Sequence, residues 1–244
     1  MAIDLNSKSM LSDRINLLVD AAIERERADD PPREYLGASV VGDPCERRVQ
    51  YEWLAIQGEI PRQRFSAQTL RRFDRGNVYE DRARRWLEMA GFMFVTPGKH
   101  LSFSDFDNRF GGHADGVIGG FYYPASTCAI PLPCLWECKC LASKGAKAIA
   151  KDGLRKYSPA YFAQVHLYMA YLNLSQCLFT VVNADDMTMA YYLIPFDLAE
   201  AEETKAKVGR VFQSTGMGEL LPRCTADPAF YLCSYCPYKA ACWK

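Results

Sequence analysis

The segment Leu-Trp-Glu-Cys-Lys-Cys-Leu, residues 135–141, places two charged side chains inside a run of apolar residues. Its length and composition predict a strand buried in a sheet. Successive side chains of a strand point to opposite faces, so Glu137 and Lys139 should project together. By the same parity, Trp136 and Cys138 should face the core. A buried charge is costly unless it is paired or binds a metal ion, so the segment predicts either a structural ion pair or a site built on the sheet.

A second acidic residue precedes this strand in Gly-Gly-His-Ala-Asp-Gly-Val-Ile, residues 111–118. Asp115 stands there at the end of a predicted strand, and Gly116 turns the chain. Two carboxylates can hold one or two Mg²⁺ ions, and such ions acidify water and stabilise charge on a phosphoryl oxygen. Lys139 is placed to orient the water or to offset developing negative charge. The chemistry that these groups fit is phosphodiester hydrolysis, although a Glu-x-Lys pattern taken alone is more typical of a structural ion pair.

The remaining periodicity predicts a single α/β core. The chain has 244 residues, of which 49% are hydrophobic, which is enough for one substantial core. We expect a central mixed sheet flanked by helices, with residues 1–36 as a helical extension and 37–244 as the main domain. Helices are predicted over 12–28, 45–57 (after an Asp43 N-cap), 66–90, 159–172 and 197–213, and strands within 92–117 and over 135–141, 177–182 and 190–195.

Membrane and secretion signals are missing from the sequence pattern. No apolar run approaches the roughly 20 residues of a membrane helix, and the first residues lack the apolar core of a signal peptide. These features predict a soluble, cytoplasmic protein without a membrane partner. The formal net charge is zero, so the chain as a whole carries no signature of a polyanionic partner.

Ten cysteines are many for this length, and in a reducing cytoplasm clustered cysteines more often bind metal than form disulfides. Cys233, Cys236 and Cys242 form a C-x₂-C-x₅-C pattern that can direct three thiolates to one metal. A tetrahedral centre needs a fourth ligand, for which Cys224 is the near candidate and Cys45 the distant one. The other cysteines are interpreted as small buried hydrophobic residues, namely Cys128, Cys134, Cys138, Cys140 and Cys177.

These motifs resemble the PD-(D/E)XK nuclease superfamily, whose Asp…Glu-x-Lys pattern matches Asp115, Glu137 and Lys139. Arg-Gly-Asn-Val-Tyr-Glu, residues 75–80, is similar to the family's helix signature. The stretch Tyr-Phe-Ala-Gln-Val-His-Leu-Tyr-Met-Ala-Tyr, residues 161–171, resembles the Q-x-x-x-Y motif of the RecB-like branch. The resemblance implies a restriction-endonuclease-like core and a divalent-metal-dependent DNA nuclease.

The resemblance also implies a set of site residues. The implied catalytic residues are Glu80, Asp115, Glu137, Lys139, Gln164 and Tyr168. The candidate positions for Mg²⁺ or Mn²⁺ are Glu80, His113, Asp115, Glu137 and Cys138. For His113, a hydrogen-bonded structural role remains the alternative to metal or substrate contact.

Iron–sulfur nucleases of the AddB and CRISPR-adaptation types have one cysteine near the N-terminus and three near the C-terminus. The segment Asp-Pro-Cys-Glu-Arg-Arg-Val-Gln-Tyr resembles the first of these. The resemblance implies one [4Fe–4S] cluster on Cys45, Cys233, Cys236 and Cys242, which would staple the two ends of the fold together. A structural zinc ion is the alternative.

Basic side chains recur on two predicted helices and favour DNA phosphate contacts with weak sequence preference. They are Lys144, Lys147, Lys151 and Arg155 on one side and Arg71, Arg72 and Arg75 on the other. Tyr157, Tyr161 and Phe162 are candidates for stacking on bases or for the core.

The activity that these features favour is exonucleolytic hydrolysis of DNA in recombination, repair or phage DNA metabolism. One alternative is a CRISPR-adaptation nuclease that trims spacers, although Glu80 stands where those relatives carry histidine. Another is a non-catalytic iron–sulfur or zinc DNA-binding module. The expected setting is a bacterial, archaeal or phage-infected cell, with a recombination or integration protein as a candidate partner.

Overall fold

The computed structural model describes residues 10–95 and 101–244. The helices in these ranges are α1 (Met10–Asp29), α2 (Ala38–Val41), α3 (Glu46–Ile56), α4 (Ala67–Met89), α5 (Ser143–Asp152), α6 (Leu154–Tyr157), α7 (Pro159–Leu172), α8 (Leu198–Gly216), α9 (Tyr231–Ser234) and α10 (Lys239–Cys242). The strands are β1 (Leu36–Gly37), β2 (Phe92–Phe94), β3 (Leu101–Asp105), β4 (Phe110–Ala114), β5 (Gly116–Phe121), β6 (Cys134–Leu141), β7 (Gln176–Asn183) and β8 (Met189–Pro195).

The strands form two mixed sheets with helices packed against them, which confirms the predicted α/β class. One sheet has five strands in the order β2-β5-β6-β7-β8, with β6 and β7 parallel and the other pairs antiparallel. The other sheet has three strands in the order β1-β4-β3. Division of the strands between two sheets was not foreseen from the sequence.

The two sheets meet where β4 runs directly into β5. Asp115 is the one residue between these strands, so the end of one sheet and the start of the other position the same side chain. Nearby, a Cβ atom at Gly112 would lie 2.6 Å from Cε1 of Tyr168, so glycine allows this α7 side chain to pack on β4. This contact brings α7 close to Asp115, which directly follows β4.

Helices cover both faces of the five-stranded sheet. On one face, Ala83 and Leu87 of α4 pack with Trp136 and Leu178. On the other face, α7 packs with Phe179 and its neighbours on β6 and β7. The first five residues of β6, Cys134–Cys138, are therefore buried on both sides, and the strand becomes partly exposed from Lys139 onward.

Several helix ends agree with the sequence signals. Ser66 caps α4 by accepting the backbone N–H of Thr69, and α7 has the predicted bounds with Ser158 as its N-cap. The predicted N-cap of α3 was wrong, because Cys45 occupies that position. Asp43 instead accepts the N–H of Cys45 at 2.9 Å and pairs with Arg48.

Helix α1 packs on α4, and Glu24 accepts the N–H of Ala67 at 3.0 Å. The division between a residue 1–36 extension and the main domain stays a prediction. Within the described residues, no helix combines the length and the apolar character needed to cross a bilayer.

The crossing of α2 and α7 gives a stability prediction. A Cβ atom at Gly42 would lie 2.6 Å from Cα and 2.9 Å from the carbonyl oxygen of Ala160, so backbone atoms must move to admit it. We expect Gly42→Ala to lower the free energy of unfolding by about 1–3 kcal/mol in urea titrations. The matched change Gly76→Ala, in an open part of α4, should raise it by about 0.5–1 kcal/mol. Equal effects at the two positions would contradict the packing argument.

Candidate active site

An ion pair lies at the centre of the larger sheet. Glu137 is 0% exposed, and its Oε1 accepts a hydrogen bond from Nζ of Lys139. The two side chains lie on the same face of β6, as strand parity predicts, while Trp136 and Cys138 lie in the core on the opposite face. The pair is therefore buried more deeply than a half-exposed structural salt bridge.

Asp115 is fixed beside this pair by a backbone contact. Its Oδ2 accepts the N–H of Cys138 at 2.8 Å, and the residue is 9% exposed. Antiparallel pairing of β5 with β6 sets this contact, since Gly116 lies opposite Trp136. The two carboxylates predicted from the sequence are thus held on adjacent strands.

Glu80 supplies a third carboxylate from α4. Burial and the nearby charge of Asp115 raise the pKa of Glu80 to about 7, and the same two causes raise the pKa of Glu137 to about 8. Burial alone would lower the pKa of Lys139, but the charges of Glu137 and Asp115 outweigh it and raise the pKa. The acidic groups are therefore crowded enough to favour proton or cation binding, while Lys139 keeps its proton.

One carboxylate oxygen lacks a partner. Oε2 of Glu137 is fully buried, and it accepts no hydrogen bond from any residue that the structure describes. Burying an anionic oxygen without a hydrogen bond costs free energy, so this atom should bind a proton or a cation. The neighbouring Oε1 already bonds Lys139, which leaves Oε2 as the atom available for such a ligand.

Gln164 and Tyr168 share one face of α7, as their spacing predicts. Nε2 of Gln164 donates to the hydroxyl of Tyr168 at 3.0 Å, and both residues are buried. Burial, followed by the charge of Glu137, raises the pKa of Tyr168. The Q-x-x-x-Y segment is therefore part of the environment of the β6 carboxylate.

Two candidate metal positions differ in setting from the three carboxylates. His113 is exposed, and its Nε2 forms a 2.9 Å hydrogen bond with the hydroxyl of Tyr35. This contact is of the kind that a structural role for His113 predicts. The Cys138 thiol lies in the core, where burial raises its pKa. The N–H of Cys138, rather than its sulfur, contacts Asp115.

Two neighbours of the site were not assigned to it from the sequence. The first is Tyr161, whose ring centre lies 5.3 Å from Nζ of Lys139. The second is Arg84, whose charge lowers the pKa of Glu80, although burial has the larger and opposite effect. Cζ of Arg84 also lies 4.6 Å from the centre of the Phe94 ring. The spacing of four residues between Glu80 and Arg84 on one helix could have revealed the second contact.

The carboxylates suit a hard divalent cation, because such ions prefer oxygen ligands. Across residues 10–95 and 101–244, however, no three His, Cys, Asp or Glu side chains are already arranged to hold a metal ion. The fit to a cation therefore rests on the donor chemistry and on the unsatisfied oxygen of Glu137.

The basic surface is smaller than the sequence suggested. Lys144, Lys147 and Lys151 are exposed along α5, which begins directly after the β6 strand. Arg155 lies on the separate helix α6 and pairs with Glu200 at 2.6 Å, so the expectation that it extends this face was wrong. On α4, Arg71 pairs with Asp20.

The cysteines predicted as ligands lie around one cavity, although within residues 10–95 and 101–244 they are not grouped closely enough to hold a metal ion already. Cys45 and the three C-terminal cysteines line the same cavity of about 20 Å³. Contacts between α3 and the C-terminal segment hold this region together, including a stacked pair of Tyr51 and Tyr238 and a 2.6 Å hydrogen bond from Tyr238 to Glu52. Cys224, the near alternative, lines the cavity too.

Most of the other cysteines lie where the sequence predicts. Cys134, Cys138 and Cys177 are buried, and Cys140 is partly buried. Cys128 is exposed, so its interpretation as a buried residue was wrong. Tyr157, Tyr161 and Phe162 pack against the main core cluster and are partly buried.

Among known proteins, similarity to this chain is found in solved structures. No family model and no curated protein matches the chain. The crystal structure of an alkaline exonuclease (LHK-Exo) from Laribacter hongkongensis is similar with a TM-score of 0.53 and 21% identity, covering 81% of this chain and 93% of that one. LHK-Exo in complex with dAMP gives a TM-score of 0.55 and 20% identity, covering 83% and 93%. These likenesses establish the fold that the two proteins share.

Proposed function

We propose that this protein is a divalent-metal-dependent DNA nuclease that acts as an exonuclease. The observation that carries the proposal is the fully buried, unsatisfied Oε2 of Glu137, beside Asp115 and a paired lysine. A purely structural ion pair has no need for two further carboxylates that raise the pKa of its own acid. The fold shared with an alkaline exonuclease favours the same activity.

In this proposal, Glu80, Asp115 and Glu137 hold Mg²⁺ or Mn²⁺. The bound ion would supply Lewis-acid stabilisation of a phosphoryl group and would make water more acidic. Lys139 stays protonated because neighbouring charges raise its pKa. It therefore orients water and offsets negative charge on the phosphate, and does not itself remove the proton.

Gln164 and Tyr168 have a positioning role in the proposal. Their mutual hydrogen bond of 3.0 Å fixes the Tyr168 ring on β4, beside the carboxylates. The exposed lysines of α5 would guide the DNA backbone by phosphate contacts, which carry little sequence information. His113 remains a candidate for contact with metal or substrate.

The test compares end-labelled linear DNA with covalently closed circular DNA, each with Mg²⁺ and with a chelator as control. An exonuclease should degrade the linear molecule in the presence of Mg²⁺ and leave the circle intact, and the labelled end gives the polarity. Cleavage of both substrates would replace the exonuclease proposal by an endonuclease. If neither is cleaved while DNA is bound, a non-catalytic DNA-binding role replaces the nuclease.

A second centre belongs to the proposal, namely a [4Fe–4S] cluster held by Cys45, Cys233, Cys236 and Cys242. Their thiols line one cavity, and sulfur ligands suit either such a cluster or zinc. The centre would link α3 to the C-terminal segment as a structural staple.

Metal analysis of protein purified without oxygen tests this centre. We expect about four iron atoms per chain for a single cluster. Cys236→Ser should lose the iron and lower the melting temperature, while Cys128→Ser, outside the cavity, should keep both. One zinc per chain in a colourless protein would select the alternative. An unaltered metal content in Cys236→Ser would contradict the assignment.

A further inference from the structure

Helix α4 contains a glycine at a position where the fold does not require one. Gly76 lies in the middle of this 23-residue helix, so its backbone conformation is one that any residue can adopt. A Cβ atom at Gly76 would have no atom of residues 10–95 or 101–244 within 4 Å. Glycine inside a helix is less stable than alanine, because it loses more conformational freedom on folding. Neither local conformation nor packing against the described residues therefore explains this glycine.

The position without a side chain lies on the face of α4 that is turned toward the larger sheet. Ala83 follows Gly76 by seven residues, which is close to two full turns, so the two Cα–Cβ directions nearly coincide. Ala83 is 0% exposed and belongs to the same apolar cluster as Trp136 and Leu178. The face of α4 that is packed at Ala83 is therefore open at Gly76.

This opening lies beside a carboxylate of the candidate active site. Glu80 follows Gly76 by four residues, so the two positions are neighbours on one helical face, with about 5–6 Å between Cβ positions. Arg72 precedes Gly76 by four residues on the same face, and it is exposed. One stripe of α4 thus presents a cation, an opening and a partly buried carboxylate in succession.

We infer that Gly76 is a positioning residue, whose missing side chain makes room for the sugar–phosphate backbone of the DNA strand that is cleaved. The strand crosses α4 at Gly76, with one phosphate beside Arg72 and the scissile phosphate beside Glu80. Glycine permits such a close approach of a ligand to a helix backbone, and a residue that lowers stability is expected where function requires it. The inference rests on the proposed nuclease function and adds to it the path of the strand.

The test measures stability and DNA binding in the same variant, Gly76→Ala. Its melting temperature should exceed that of wild type, because alanine favours a helix and the methyl group meets no atom in the described parts of the chain. The same methyl group should raise the dissociation constant for linear DNA, measured with Ca²⁺ in place of Mg²⁺. It should also lower kcat/KM for hydrolysis by about 10–100-fold, the scale of a slightly misplaced substrate.

Two further measurements show where the methyl group acts. Without DNA, Mn²⁺ should raise the melting temperature of Gly76→Ala as much as that of wild type, because the three carboxylates are unchanged. Gly76→Leu keeps a strong helix former and fills more of the opening. It should therefore weaken DNA binding more than Gly76→Ala does.

Gly209→Ala is the matched control. Gly209 also lies inside a long helix, α8, and the described residues place one atom at 4.0 Å from a Cβ there, Cε1 of Phe106. No side chain of α8 belongs to the candidate active site. Gly209→Ala should raise the melting temperature as Gly76→Ala does, and it should bind and hydrolyse DNA as wild type does.

The outcomes separate this inference from the proposed function. If wild type binds or hydrolyses DNA and Gly76→Ala does so equally well, the inference is overturned and the nuclease proposal stands. The inference is also overturned if Gly76→Ala loses its response to Mn²⁺ or melts below wild type, or if Gly209→Ala loses DNA binding to the same extent. Wild type that neither binds nor hydrolyses DNA would contradict the proposed function itself, and the inference with it.

Discussion

Replacing Lys139 by methionine should reduce the rate of Mg²⁺-dependent DNA hydrolysis by about 10²–10³-fold, the loss typical of removing one group that stabilises transition-state charge. Methionine keeps most of the side-chain volume and removes the charge beside Glu137. The fold should survive, because burial and Asp115 already raise the pKa of Glu137 to about 8, so the unpaired acid can take up a proton. The measurement is the initial rate on linear DNA, with circular dichroism as the check on folding.

The matched control for this change is Lys147→Met, on the exposed face of α5. It removes a lysine that would contact DNA phosphate, so it should weaken DNA binding and leave the rate at saturating DNA within a few-fold of wild type. A folded Lys139→Met protein that hydrolyses DNA at the wild-type rate would remove Lys139 from the chemistry.

Glu80→Gln should have opposite effects on activity and on the stability of the metal-free protein. The pKa of Glu80 is about 7 in the folded state and 4.5 as its ordinary value, so the folded state binds this proton more tightly. Ionised Glu80 therefore destabilises the metal-free fold, with a penalty that grows as pH rises from 4.5 to 7 and stays constant above. Gln avoids that penalty, because it carries no charge.

The expected result is a higher melting temperature for metal-free Glu80→Gln than for metal-free wild type at pH 8.5, and no difference at pH 4. Added Mn²⁺ should raise the melting temperature of wild type far more than that of the variant, since one carboxylate ligand is missing. DNA hydrolysis by the variant should fall by at least about 10–100-fold, the range seen even for outer-shell partners of a metal. Glu202→Gln, an exposed change on α8, should leave the melting temperature, its rise with Mn²⁺ and the rate of DNA hydrolysis as in wild type. A variant less stable than wild type at pH 8.5 would contradict the crowding argument.

The side chains that share a strand or helix face in the site could be predicted from the sequence, because such faces depend only on the periodicity of one element. Period-two alternation placed Glu137 and Lys139 on one face of β6, where their contact is observed. The helical spacing of Gln164 and Tyr168 likewise gave a contact that the structure contains. The α/β class followed from the same patterns and is confirmed by the two mixed sheets.

What the sequence did not provide is long-range geometry. The division into two sheets depends on how β4 passes into β5 at Asp115, which no local periodicity encodes. The pairing of Arg155 with Glu200 on α8, and the packing of Tyr161 against Lys139, likewise join segments whose relative placement is set by tertiary packing. Family resemblance alone led us to expect Cys45 near the C-terminal cysteines. They line one cavity, where α3 contacts the C-terminal segment, and their binding of a cluster stays a prediction.

The measurement that tests the central claim most directly is calorimetric titration of Mn²⁺ into wild type and Glu137→Gln, alongside the Mn²⁺ dependence of DNA hydrolysis. If the unsatisfied oxygen of Glu137 belongs to a cation site, wild type should bind Mn²⁺ over the concentrations that activate hydrolysis. The variant should show neither binding in that range nor hydrolysis. Equal Mn²⁺ binding by both proteins, together with hydrolysis by folded Glu137→Gln, would contradict the assignment of this site.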